Sequence, residues 1–307
     1  TSPPNIPSIV NNKLFITFNL EKGIEIPNEA PLLSNTSKEP LTNQKAYKIA
    51  AKMGFTNNPI ETNDVRNGKT LIWSNNKTSL VFRLDLNKIE FFNVPPNQRD
   101  LKKTLSDAEL QSLAGNFLVE NFGMAPDSLK FESFSYFKQL TNTAQAGVDV
   151  FPQNTSKENA DTVVVKISPN TQYQVLTTNS TNTIASVKLT TDGVIFSADT
   201  YLDFAFQKES ENQPLLNIEE IKENINKASV FLIDDGYVSK TSMELFQQTL
   251  TKVVITKIKL INLLDQPLAE TLQPVFLLEG IGTLIENNIN KTVEVGLYLP
   301  ALRSLYY

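Results

Sequence analysis

Any catalysis by this chain would have to run on carboxylates, or on serine and lysine, because its 307 residues include no histidine and no cysteine. That removes the usual general base near neutral pH, the commonest metal ligand and every thiolate. Asp199 and Asp203, four apart in a strand expected over Val194–Phe206, share one face and could pair as the two carboxyl groups of a glycosidase. The same spacing describes an ordinary solvated strand face. Asp234-Asp235-Gly236 reads as a turn, since the spacing and closing glutamate of a calcium loop are missing. Ser37-Lys38, Ser156-Lys157 and Ser239-Lys240 fall in polar turns without the supporting motifs of a serine–lysine nucleophile. Gly280-Ile281-Gly282 alone does not make a phosphate loop, and Trp73 is the sole tryptophan available to wall a sugar site. No residue is assigned a catalytic, cofactor-binding or metal-binding role, and the chain is read as a non-enzyme without a cofactor.

The elements that must position any site follow from periodicity and caps. A helix is expected from Thr42 to Met53, with Ala46, Ile49, Ala50 and Met53 on one stripe and Gly54 ending it. Strands at Thr70–Trp73, Ser79–Leu84 and Lys88–Val94 follow, reversed at Asp85-Leu86-Asn87, and Pro95-Pro96 stops them. Ser106-x-x-Glu109 is a capping box for a second helix running to Gly123. Its strands include Ser128–Leu140 and a hairpin turned at Thr191-Asp192-Gly193, with a polar insertion at Thr141–Ala160. On Ser128–Leu140, alternation places Phe134 and Tyr136 on one face, Phe131 and Phe137 on the other. Asn217-x-x-Glu220 opens a third helix, followed by the strands Thr249–Leu263, Gln273–Leu284 and Thr292–Leu299. The expected fold is therefore α+β, a repeated unit of helix plus antiparallel β-meander with each helix on one face of its sheet. Four stretches are expected: 1–41 as strand and extended linker, 42–98 and 99–213 as the first two units, and 214–307 as a third, with continuity between the second and third left open.

Composition narrows the function classes. A net charge of −5 and no basic run give nucleic acid no electrostatic footprint. No stretch of about eighteen apolar residues is available to span a membrane as a helix. The opening Thr1-Ser2-Pro3-Pro4, without methionine, suggests a removed upstream segment, either a signal peptide or a membrane anchor.

The run Leu272-Gln273-Pro274-Val275-Phe276-Leu277-Leu278-Glu279-Gly280, with Val293–Tyr298 and Pro300-Ala301, resembles the closing hairpin of the bacterial YycI and YycH envelope proteins, which belong with PepSY-like domains. Val187–Ile195, following the capped helix from Ser106, is similar to a PepSY-type unit, so the resemblance spans residues 106–301. It implies a membrane-tethered, extracytoplasmic regulatory domain that binds a sensor kinase or a protease and has no catalytic residues. A partner would then use an exposed sheet edge or a groove between units. Two other readings stay open: a carboxylate-based hydrolase of cell-wall polymers, and a structural subunit of a surface assembly.

Overall fold

Helix starts are set locally, by side chains that satisfy the free N–H groups of a first turn. The computed structural model describes residues 14–35, 40–65, 68–94, 104–138, 153–177, 180–202, 206–208, 211–232, 250–264, 271–286 and 289–305. Three short strands, β1 (Phe15–Phe18), β2 (Glu29–Ala30) and β3 (Leu33–Asn35), precede helix α1 (Asn43–Lys52), where Thr42 Oγ1 accepts the Lys45 N–H. The meander β4 (Ile60–Asp64), β5 (Gly68–Ser74), β6 (Thr78–Arg83) and β7 (Lys88–Asn93) follows. Helix α2 (Asp107–Phe122) opens on the Ser106–Glu109 capping box and closes at Gly123 in the left-handed conformation, φ 76°.

After α2 come β8 (Leu129–Lys138), β9 (Gln153–Asn154), β10 (Thr162–Pro169), β11 (Val175–Thr177), β12 (Ser180–Thr183), β13 (Ala185–Thr190) and β14 (Ile195–Tyr201). The last third holds β15 (Phe206–Lys208), β16 (Gln213–Pro214), α3 (Ile218–Glu223), β17 (Ser229–Leu232), β18 (Leu250–Leu264), β19 (Thr271–Glu286) and β20 (Ile289–Pro300). The Asn217–Glu220 capping box starts α3, which is only six residues long.

The expected α+β arrangement of repeated helix-plus-meander units, each with its helix on one face of its own sheet, is overturned. The chain is mostly β: among the described residues three α-helices stand against twenty strands, gathered into two nine-stranded sheets and a two-stranded ribbon. The first sheet runs β4-β5-β6-β7-β14-β13-β10-β8-β9 and is antiparallel throughout. Pairing of β7 with β14 (Phe92↔Ser197 to Lys88↔Tyr201) fuses what local periodicity reads as separate meanders. The physical reason is that a meander ends in an edge strand with unpaired N–H and C=O groups, and two such edges satisfy one another.

The second sheet, with β12-β11-β18-β19-β20-β17 as its main path, draws strands from all parts of the chain. Parallel to β18 lie β1 (Phe15↔Lys252) and β11 (Val175↔Asn262), while β3 joins β19. Its long strands, 15, 16 and 12 residues, span roughly 40–50 Å at about 3.3 Å per residue.

Two large cores result. Helices α1 and α2 cover one face of the first sheet, where Ile49, Leu110, Leu118 and Phe122 meet Leu80, Phe82, Val163 and Val187. Trp73 is buried there, its indole N–H donating to the Asn57 carbonyl at 3.0 Å and its ring edge-on to Tyr47 and Phe82. The second core packs Ile221 of α3 against Val253, Ile255, Phe276, Leu278 and Leu297 of the long strands.

Asn87, in the β6–β7 turn, binds distant segments together. It has φ 52° and is 1% exposed. Its Oδ1 accepts the Leu41 N–H at 2.8 Å, its Nδ2 donates to the Leu202 carbonyl at 2.7 Å, and its own carbonyl accepts the Leu202 N–H at 2.8 Å. Asn87→Ala would strand two buried polar groups and force an alanine into the left-handed region, a loss on the order of 3–5 kcal/mol. Asn87→Gly, which adopts that φ freely, should recover part of it. Urea unfolding of the three chains checks the order: parent, then glycine, then alanine.

Candidate functional site

The sequence-derived candidates separate when placed in the fold. Asp199 lies on β14, on the face of the first sheet away from the helices, and accepts from Ser186 Oγ at 2.5 Å. Asp203 falls outside the described residues, as do Asp234-Asp235-Gly236, Ser37-Lys38, Ser239-Lys240, Pro95-Pro96 and the polar insertion up to residue 152. The carboxylate that stands opposite Asp199 in register is Glu90 of β7. Both of its oxygens are occupied, by Arg83 Nε at 3.0 Å and Lys88 Nζ at 2.8 Å, so that like charges placed side by side are offset by two cations. This is a self-neutralised ladder on a sheet face. Gly280 makes room within the second sheet: a Cβ there would stand 2.2 Å from the Val254 carbonyl oxygen, beside the bulge at Ile255/Lys257.

Two grooves remain. One, about 680 Å³, lies between Asn19–Lys22 and the long strands; its Glu21 pairs with Lys257 at 3.4 Å and its Glu279 with Lys259 at 2.8 Å. The other, about 420 Å³, runs between α2 and β8. Its construction begins with a sheet irregularity. Between Lys166 and Ile167 the β8–β10 register shifts, leaving Glu132 as an extra residue on β8, so Phe131 pairs with Ile167 while Phe134 pairs with Val165. The bulge brings Phe131, three residues from Phe134, onto the α2-facing side. Its ring lies 4.5 Å from that of Phe134, which lies 5.9 Å from Tyr136. Simple alternation puts Phe131 on the opposite face, and the inserted residue is what reverses it.

Facing Leu129 and Phe131, α2 presents small side chains at Ala108, Ser112 and Gly115, flanked on its two sides by the amides of Gln111 and Asn116. Gly115 is a signal that the sequence does carry. A glycine inside a helix costs about 0.5–1 kcal/mol relative to alanine, yet a Cβ at this position would meet nothing within 4 Å. Packing therefore gives no reason for it. None of the groove's lining residues is ionisable, so it offers apolar surface and amide groups but no acid, base or charged nucleophile.

Outside the groove lining, at the start of α2, stands a polar cluster. Asp107 Oδ1 accepts from the Tyr136 hydroxyl at 2.6 Å and from Lys157 Nζ. The Lys157 ammonium, then the Tyr136 hydroxyl, hold the Asp107 carboxyl below the ordinary carboxylate range. Burial and then the bond to Asp107 push the Tyr136 phenol well above its usual value. A depressed carboxyl adds stability above about pH 4 that is lost as pH falls through its native value. Asp107→Asn should therefore lower the thermal midpoint at pH 7, modestly because the side chain is 51% exposed, and the gap to the parent should close in acid. A melting series from pH 7 to pH 2 measures it.

No family model matches the chain, and no curated protein does. Among solved structures it is similar to the 1.45 Å crystal structure of an uncharacterised protein from Eubacterium rectale ATCC 33656, with 14% identity and a TM-score of 0.53. The match covers 96% of this chain and 90% of that one, so the likeness is one of fold over nearly the whole length.

Proposed function

We propose that this chain is a non-enzymatic binding domain that acts outside the cytoplasm and holds another protein of the bacterial envelope in the groove between α2 and β8. The observation that carries the reading is the groove's chemistry. An apolar floor of Leu129, Ile167 and Phe131, the last turned in by a sheet bulge, faces a mid-helix glycine that packing does not require, and no ionisable group lines the space. Such a surface favours burial of an apolar segment and has nothing with which to transform it. The envelope setting, and a partner of sensor-kinase or protease type, rest on the resemblance of residues 106–301 to the PepSY-like YycI and YycH proteins. Ion pairing supports the same choice over hydrolysis, since Glu90, Asp107 and Glu279 each sit beside a lysine.

Gly115 separates folding from binding. Gly115→Ala should raise the thermal midpoint, through a gain of about 0.5–1 kcal/mol in helix propensity. Gly115→Leu should fold equally well while filling the groove. In selection from a phage-displayed random-peptide library, the parent chain should enrich apolar or aromatic peptides whose affinity falls at least tenfold on the leucine variant. Absence of enrichment, or peptides indifferent to that substitution, would remove the groove from the account. Turnover of cell-wall polymer by the purified chain would replace the binding reading with an enzymatic one.

A further inference from the structure

We infer that the partner enters as an extended peptide, adding a strand to the free edge of β8 between Leu129 and Ser135 and placing an apolar side chain in the recess over Gly115. The inference rests on the groove reading and adds the mode of recognition. Three backbone hydrogen bonds orient β8. The Tyr136 carbonyl accepts the Thr155 N–H at 3.0 Å on the outer side, whereas the Phe137 carbonyl accepts the Asp161 N–H at 3.1 Å, and Ser128 that of Asn170 at 2.8 Å, on the β10 side. Backbone groups of an antiparallel strand alternate between its two edges. Phe134 therefore turns its N–H and C=O to the outer edge like Tyr136, and below the bulge Leu129 and Phe131 do the same. Side chains alternate with the same period of two, so the residues that line the groove are those whose backbone groups face outward.

This edge already accepts a strand. Gln153 and Asn154 of β9 pair with Lys138 and Phe137, antiparallel, and Thr155 leaves the edge at Tyr136. Among the described residues no strand pairs with the remaining stretch, Leu129–Ser135, on that side. A peptide there would continue the line of β9. A helical or lipid occupant would cover the same apolar floor but leave the outward groups of Phe131 and Phe134 unpaired as it excluded water from them.

The test uses a peptide enriched on the parent chain and sensitive to Gly115→Leu, resynthesised with single backbone N-methyl groups at each position in turn. Strand addition predicts losses of tenfold or more at alternate positions, with little change between them. A flat profile, or loss at every position, would overturn it. On the protein side, Phe134→Pro removes an outward N–H without touching the β8–β10 ladder, and Phe134→Ala removes the ring alone. The proline variant should bind at least fivefold more weakly than the alanine variant; equal affinities count against the strand. If the proline variant does not fold, the N-methyl series decides. Sensitivity to Gly115→Leu with a flat N-methyl profile leaves the groove in place and removes the strand, whereas insensitivity to Gly115→Leu removes both.

Discussion

The amide of Asn87 is the constraint on which the first sheet depends. It holds the β6–β7 turn in a left-handed conformation, takes the Leu41 N–H from the approach to α1, and clamps Leu202 at the end of β14. Those three attachments sit where β7 and β14 pair, the seam that turns two meanders into one continuous sheet. A buried polar group in a low-dielectric interior is stable only with its partners in place, so the turn, the α1 approach and the seam must form together. Asparagine suits the position twice over, because its side chain can bond in both directions and its backbone tolerates positive φ better than that of most residues.

From the seam follows the placement of the helices and hence of the groove. With the sheet continuous, α1 and α2 lie on the same face, and the buried stripe of α2 is drawn onto β10 and β13, where Val163, Val165, Val187 and Leu189 are fully buried. The face of β8 is left half covered. The extra residue at Glu132 then turns Phe131 toward α2, beside Phe134 and Tyr136, and the Asp107–Tyr136–Lys157 cluster pins the first turn of α2 to the far end of the same strand. A half-buried apolar face of this kind sheds further water when an apolar segment covers it, which is the physical basis of the proposed binding.

Much of the local structure was legible in the residues. The capping boxes at Ser106–Glu109 and Asn217–Glu220, the Thr42 cap, the Gly123 stop and the reversal at Asp85-Leu86-Asn87 all depend on contacts a few residues apart. The site was less legible. Gly115 is visible as a helix-interior glycine, but its meaning depends on the empty space above it. Phe131 could not be assigned to its face by alternation, because a single inserted residue reverses every side chain beyond it. Glu90, the true neighbour of Asp199, comes from a strand more than a hundred residues earlier.

The sequence by itself determined where the helices start, where α1 and α2 stop, where most of the longer strands lie, and that imidazole and thiol chemistry are absent. Those properties belong to single residues or to neighbours within a turn or two. Tertiary structure decided the partners of each strand, and so replaced three repeated units with two large sheets. Pairing β7 with β14, β1 and β11 with β18, and β3 with β19 satisfies edge hydrogen bonds between segments far apart in the chain, for which a strand's own periodicity carries no address.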